Sequence, residues 1–288
     1  VQGSLLTLKV EGLLGGHSGQ DIDKERQNAD LLMARMIQRL LKETKGQLVS
    51  FNGGTKDNAI PRECEASLIY ESDEEAAKAE ELACELAETY AEELTPAEPD
   101  FSCEISCETN RTAEAIPQDA AKEFICAMRL APNGIQKRNI KMDGFVVVSL
   151  NLGVVRTEED RIVMIFSPRS SVASLQEDTK ERLNTLAETF GFTVSHSSEY
   201  PGWSFKEDSP VREICKESYK ELFGEDLKIE AIHAGLECGL FSDAIKGLDA
   251  IAIGPTIANC HTPDEYLTLD SFERFYEFLK DILSRLAK

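Results

Sequence analysis

Residues 47–70, QLVSFNGGTKDNAIPRECEASLIY, decide the fold of the first part of the chain. The apolar and β-branched residues near both ends of this stretch predict two strands, at 47–51 and 61–70. The polar segment between them contains Gly53 and Gly54, which indicate a turn followed by a loop. The stretch is therefore predicted to form two strands joined by a polar loop.

The pattern continues outward from this pair in both directions. A strand at 5–10 and a helix at 22–43 precede the pair, and a helix at 73–94 and a strand at 100–108 follow it. Ser72 precedes the second helix as the first residue of a capping box. The resulting order, β-α-β-β-α-β, predicts a split βαβ arrangement on an antiparallel sheet.

A similar order follows in the next part of the chain. It has a helix at 118–130, strands at 145–155 and 161–167, a helix at 172–190 and a strand at 192–196. The first strand of the unit is not visible in this second half. Whether the two halves are a duplication therefore stays open.

From about residue 200 the pattern changes to an alternation of strands and helices. Helices are predicted at 211–223, 236–244 and 269–287, with strands at 227–232 and 248–253 between them. Such alternation is typical of a parallel or mixed sheet that is covered by helices. Two strands are too few for a complete sheet of this kind.

The composition excludes two classes of partner. The chain has 288 residues, and 31 Lys and Arg against 52 Asp and Glu give a net charge of −21. Because an anionic surface repels phosphates and no basic run is present, we expect no nucleic-acid partner. The most apolar stretch, 146–155, is interrupted by Ser149 and Asn151 and is shorter than the roughly 20 residues of a spanning helix.

Eight cysteines without a C-x-x-C pair are typical of reduced thiols in a cytosolic protein.

Two loops near the start of the chain carry candidate functional side chains. GGHSG at 15–19 is either a glycine-rich turn with an N-cap at Ser18, or a loop whose glycines let the His17 imidazole approach a ligand. In the second case His17 donates a hydrogen bond to a developing oxyanion. The polar loop at 52–61 is either a simple connection or presents the amide of Asn58 to a substrate. The residues alone leave both alternatives open.

Three later positions carry further candidates. Arg169 ends an apolar strand, where a guanidinium either forms a salt bridge or clamps a carboxylate through two hydrogen bonds. Gly235 lies in a strand-to-helix turn, where backbone N–H groups bind an anion. His261 lies in a loop after a buried strand. A lone histidine is a weak indication of metal, because a zinc site usually needs three protein ligands.

In this order, the segments resemble those of the bacterial aminoacyl-histidine dipeptidases, the Xaa-His or carnosinase-like enzymes. That family belongs to the aminoacylase-like co-catalytic zinc peptidase superfamily. The resemblance covers nearly the whole chain, and the intervals between its motifs also fit. It rests on GGHSG at 15–19, FNGGT at 51–55, NAIPR at 58–62, YPGW at 200–203, HAGLECGLF at 233–241, IGPTI at 253–257 and HTPDE at 261–265.

The resemblance implies an α/β protein made of two parts. Residues 1–197 would be a lid, an antiparallel sheet with helices on one face, whose halves are about 1–110 and 111–197. Residues 198–288 would be the C-terminal portion of a zinc-peptidase catalytic domain. Because the family's other zinc ligands precede the lid and this chain has no matching His-x-Asp motif, we expect the chain to be an incomplete fragment that is inactive by itself.

The resemblance also implies roles for the candidate residues. His261 matches a zinc ligand, and His17 matches the lid histidine that polarises the scissile carbonyl and stabilises the tetrahedral intermediate. Asn58, Arg169 and the backbone at Gly235 match substrate-binding positions, with Arg169 as the clamp for the free carboxylate of a dipeptide. In the complete enzyme two zinc ions about 3.5–4 Å apart would share a water.

The function expected from the resemblance is hydrolysis of dipeptides of the Xaa-His type in the cytoplasm. A tripeptidase or an aminoacylase of the same superfamily stays open, as does a stand-alone dimerisation or binding module. A homodimer formed through the lid also stays open, together with the question whether His17 serves its own active site or a partner's.

Overall fold

The computed structural model describes residues 1–140, 144–197, 202–203, 205–230, 237–258 and 265–287. These residues fall into two compact units, the first up to residue 197 and the second from residue 202. The fold class is α/β, with antiparallel strand pairing and seven α-helices in the part of the chain that the structure describes. The predicted fold class is therefore confirmed.

The first unit is built on a seven-stranded sheet. Its strands are β1 (Gln2–Glu11), β3 (Gln47–Gly53), β5 (Cys64–Tyr70), β6 (Ser102–Thr112), β7 (Gly134–Asn139), β8 (Phe145–Thr157) and β9 (Ile162–Ser170). They are ordered β6-β1-β5-β3-β8-β7, with β9 also paired to β8. Two short strands, β2 (Gly16–His17) and β4 (Ala59–Ile60), form a separate ladder. This ladder lies in the loops that carry the candidate residues.

Four helices pack against this sheet: α1 (Ala29–Glu43), α2 (Asp73–Leu94), α3 (Gln118–Leu130) and α4 (Ala173–Phe190). Alternate residues of β1, among them Leu6 and Leu8, are fully buried. They belong to the same core as Leu32, Met36 and Leu40, which lie on one stripe of α1. The main core is therefore formed between the helices and the sheet.

The helices α2 and α3 begin and end at the predicted residues, whereas α1 begins later than predicted. Residues 22–24 form a separate 3₁₀ turn. The side chain of Asn28 then caps α1 by accepting hydrogen bonds from the N–H groups of Asp30 and Leu31. An N-cap residue takes an extended backbone conformation, so the helix cannot continue through it from residue 22.

The second half of this unit differs from the prediction at two places. Strand β7 was not predicted, because its sequence GIQKRN has no apolar alternation and its pairing with β8 is made by the backbone. The segment 192–196, predicted as a strand, is irregular. The N–H of Phe192 instead donates to the carbonyl of Ala187, and α4 ends at Phe190 with Gly191 as a C-cap in the left-handed conformation. The order in this half is α3-β7-β8-β9-α4.

The second unit contains α5 (Pro210–Phe223), α6 (Glu237–Ala244) and α7 (Leu269–Leu286), together with the two-residue strands β10 (Ile257–Ala258) and β11 (Tyr266–Leu267). The buried side chains of Cys215, Phe278 and Ile282 form its core. The predicted helices are thus present, within one or two residues at their ends. The predicted strands are wrong over 227–230 and 248–253, which are irregular, and residues 231–232 of the first predicted strand lie outside the described residues. A strand requires a hydrogen-bonded neighbour, and no described residue pairs with either segment.

Candidate functional site

The ladder of β2 and β4 brings the first two candidate residues together. His17 lies opposite Ala59 in this ladder. Directly beside it, the N–H of Ser18 donates to the carbonyl of Asn58 over 2.9 Å. The side chain of Asn58 is exposed, whereas Ser18 is fully buried. The two loops singled out in the sequence therefore form one local structure.

The imidazole of His17 is oriented by the backbone that follows it. Its Nδ1 accepts hydrogen bonds from the N–H groups of Gly19, over 3.2 Å, and of Gln20, over 3.1 Å. A ring nitrogen that accepts hydrogen bonds carries no proton, so this geometry fits the neutral tautomer with its proton on Nε2. The N–H of His17 itself donates to Asp21 Oδ2 over 2.8 Å. The ring is therefore arranged to donate from Nε2.

Two glycines make room for this loop. Gly15 and Gly16 have φ values of +59° and +138°, which side chains rarely permit. A Cβ added to Gly16 would lie 2.6 Å from Nη1 of Arg26 and 2.7 Å from Oδ2 of Asp21. The paired glycines before His17 are therefore required by the backbone path and by the packing of charged side chains against it.

Arg169 lies beside the same loop although it belongs to the other half of the first unit. It is opposite Ser149 in the pairing of β9 with β8, and its Nε donates to Ser18 Oγ over 3.4 Å. Its side chain is half-buried, and this burial lowers the pKa of the guanidinium, while the carboxylate of Asp57 acts in the opposite direction. Among the described residues no carboxylate forms an ion pair with Arg169. The fold thus leaves a partly desolvated cation next to His17 and Asn58.

Strand β8 supports the loop between β3 and β4. Asn151, which is 1% exposed, donates from Nδ2 to the carbonyls of Asp57, over 3.2 Å, and of Ala59, over 2.8 Å. A Cβ added to Gly153 would lie 2.5 Å from the carbonyl oxygen of Asp57. Asn151 was not among the residues predicted to belong to the site. The signal that could have found it is an amide within the mostly apolar stretch 146–155.

The other two candidates, Gly235 and His261, lie outside the described residues. Within the described ranges no group of three or more His, Cys, Asp or Glu side chains is placed to hold a metal ion. The described residues therefore do not by themselves fit a zinc site. None of the described helices combines the length and the apolar character needed to cross a membrane.

Comparison with known proteins gives consistent results over nearly the whole chain. The cytosol non-specific dipeptidase of Escherichia coli (strain K12) is 33% identical over 283 residues, which are 97% of this chain and 57% of that protein. The crystal structure of aminoacylhistidine dipeptidase from Vibrio alginolyticus superposes with a TM-score of 0.87 at 33% identity, covering 98% of this chain and 57% of that one. This chain thus spans little more than half the length of these relatives.

A family model, described as peptidase family M20/M25/M40, matches residues 41–285. The match includes most of the first unit and nearly all of the described part of the second. Together with the two relatives, it agrees with the peptidase family expected from the motifs. The chain belongs to peptidase family M20/M25/M40.

Proposed function

We propose that the protein to which these residues belong hydrolyses dipeptides, with the first unit acting as a lid that binds the substrate. The observation that carries the proposal is the cluster around Ser18. There an oriented imidazole, an exposed amide and a half-buried arginine without an ion pair among the described residues meet in one place. The names of the two relatives, both dipeptidases, support the same substrate class.

His17 provides the hydrogen-bond donor in this proposal. Hydrolysis of a peptide bond passes through a tetrahedral intermediate whose oxygen carries a negative charge, and a donor fixed in advance stabilises that charge. Because two backbone N–H groups occupy Nδ1, the Nε2–H group needs no reorientation when the charge develops. His17 thus lowers the barrier without giving up a proton.

Arg169 provides the substrate clamp. Its half-buried guanidinium donates from Nε to the hydroxyl of Ser18. A guanidinium binds a carboxylate through two parallel hydrogen bonds, and in this proposal the Nη groups of Arg169 make them. Binding the free C-terminal carboxylate close to the scissile bond limits the length of the peptide. Asn58 holds the substrate from the other side through its exposed amide.

The proposal includes two zinc ions, with His261 as the ligand that this chain contributes, and a cytoplasmic location. When bound, the metals supply an activated water and polarise the carbonyl. Among the described residues, Arg169 binds the carboxylate, Asn58 holds the substrate and His17 donates to the oxyanion. The backbone at Gly235 is proposed as a further substrate contact, and a homodimer formed through the lid is compatible with this arrangement.

The experiment compares variants of the protein expressed from its complete reading frame. We expect Arg169→Met to raise KM for β-Ala-His and to leave KM for its carboxyl-amidated form unchanged. His17→Ala should lower kcat by roughly 10²–10³, the usual effect of losing an oxyanion donor. Arg161→Met is the matched control, since Arg161 is exposed and pairs with Glu158 and Asp160 at the turn between β8 and β9.

Two results would contradict the proposal. Equal losses on the free and the amidated dipeptide would exclude the clamp, and an unchanged kcat in His17→Ala would exclude the oxyanion donor. Faster turnover of Gly-Gly-Gly or of N-acyl amino acids than of any dipeptide would replace the dipeptidase by a tripeptidase or an aminoacylase. Activity with none of these substrates would leave a binding module.

A further inference from the structure

Asn151 lies in an unusual place for an amide. It is 1% exposed in the middle of β8, in a stretch where its neighbours are apolar. Burying an amide is unfavourable unless its hydrogen bonds are made within the protein. The Nδ2 group donates to the carbonyls of Asp57 and Ala59, which are the residues on either side of Asn58. The buried Oδ1 has no hydrogen-bond partner among the described residues, so only the donor half of the amide is satisfied. Asn151 therefore restrains the backbone on both sides of Asn58.

The chemistry of these two contacts requires an amide at position 151. Both partners are carbonyl oxygens, so the group that faces them must offer two N–H donors. The carboxylate of an aspartate at this position would place an oxygen, which accepts hydrogen bonds, against two carbonyl oxygens that also only accept them. An apolar side chain would leave both carbonyls without this donor. One side chain that bridges residues 57 and 59 thus restrains the backbone of the residue between them.

The restraint reaches the other members of the site through contacts already described. The carbonyl of Asn58 accepts the N–H of Ser18, and the hydroxyl of Ser18 accepts from Arg169. Ala59, the second residue held by Asn151, lies opposite His17. A shift of the loop would therefore move the imidazole, the amide and the guanidinium relative to one another.

We infer that Asn151 is a positioning residue, which sets the loop that presents Asn58 and aligns His17 with it. The inference rests on the proposed function for its kinetic consequence, but the placement of the loop can be measured without any substrate. Close packing supports it, because β8 approaches the loop so tightly that Gly153 has no room for a Cβ. A loop held this way is fixed before the substrate arrives, which favours catalysis.

The first test measures hydrogen exchange at the Ser18 amide, which donates to Asn58. We expect Asn151→Asp to speed this exchange by about ten-fold or more, because both N–H donors to the loop are removed. Asn151→Ala is the second variant and should act in the same direction. Asn133→Ala is the matched control. The side chain of Asn133 accepts a hydrogen bond over 2.8 Å from the N–H of Leu152, which is next to Asn151 on β8. Asn133 thus contacts the same strand without a described hydrogen bond to the loop that carries Asn58.

The second test measures kinetics with a dipeptide. Asn151→Asp should lower kcat/KM by about 10- to 100-fold, the effect expected from a misplaced site, whereas Asn133→Ala should change it less than about threefold. The double variant Asn151→Asp/Asn58→Ala should lose less kcat/KM than the two single variants predict together. Its loss should be at least about threefold smaller than the product of the two single losses, because both changes act on the same residue. A residue that contributed only to stability would give losses that multiply.

The outcomes separate the inference from the proposed function. Unchanged exchange at Ser18 in both Asn151 variants overturns the inference, whatever the activity. Faster exchange together with multiplying losses also overturns it, since Asn151 would then not act through Asn58. If the wild-type protein hydrolyses no dipeptide, the proposed function fails, and the exchange at Ser18 alone decides whether Asn151 holds the loop.

Discussion

Asp30 is expected to make the stability of the first unit depend on pH. It lies in the first turn of α1 and is fully buried, and neither of its carboxylate oxygens has a well-formed hydrogen bond among the described residues. Burial raises its pKa from 3.8 to about 7, and the neighbouring Cys64 thiol opposes this only partly. A Cβ at Gly53 would lie 1.7 Å from its Oδ1, so the carboxyl fills the space that this glycine leaves.

The raised pKa makes the stability of the first unit depend on pH in a defined direction. Between pH 3.8 and about 7 the folded protein keeps a proton on Asp30 that the unfolded chain releases. Stability therefore falls as pH rises through this window, by up to about 1.4 kcal/mol per pH unit, and levels off above it. From pH 5 to pH 8 the loss attributable to Asp30 is about 2.5 kcal/mol.

The perturbation is Asp30→Asn, which keeps the shape of the carboxyl and removes its ionisation. The assay is native-state hydrogen exchange at the buried amides of Leu8 and Leu68, corrected for the intrinsic pH dependence of exchange. We expect the difference in stability between wild type and variant to change by about 2.5 kcal/mol from pH 5 to pH 8, in favour of the variant at high pH.

The control is Asp119→Asn, because Asp119 also lies in the first turn of a helix, α3, but is exposed. Its profile should follow the wild type at every pH. A parallel loss of stability in Asp30→Asn and wild type between pH 5 and pH 8 would contradict this expectation. That result would mean that Asp30 ionises in the folded protein as readily as in the unfolded chain.

Two further predictions concern packing next to this site. Gly53→Ala should destabilise the first unit by about 1–3 kcal/mol through overpacking against Asp30. Gly254→Ala should be neutral, because none of the described residues lies within 4 Å of the added Cβ. Urea denaturation measures the stability of both variants. Asn28→Ala should cost about 2–3 kcal/mol, because it removes both the cap of α1 and a buried hydrogen bond to a backbone carbonyl of β8. Ser72→Ala, which removes only an exposed cap, should cost less, and equal losses would contradict the added contribution of the buried bond.

Helices whose signals are local were predicted well from the sequence. The limits of α2 follow from its cap at Ser72 and from an apolar stripe. The start of α1 was predicted too early, because Asn28 was not recognised as a cap. Its Nδ2 also donates to the carbonyl of Leu152, a contact with β8 that no local pattern reveals.

Strands were predicted less well, because a strand exists only with its neighbours. Strand β7 has a polar sequence and forms because β8 lies beside it. The segments 227–230 and 248–253 have apolar sequences and are irregular in the second unit. Hydrophobic alternation reports which face a strand would bury, and it does not report whether a partner is present to complete the ladder.

The sequence by itself determined the family and the residues proposed to carry the chemistry, because motifs such as GGHSG are local and keep their order along the chain. Only the tertiary structure decided which of these residues meet. Arg169 and Ser18 are 151 residues apart and come together because β9 pairs with β8, whose other contacts hold the loop of Asn58. The structure alone also revealed that Asn151 and Asp30 are buried, because burial is set by the strands and helices that pack around a side chain.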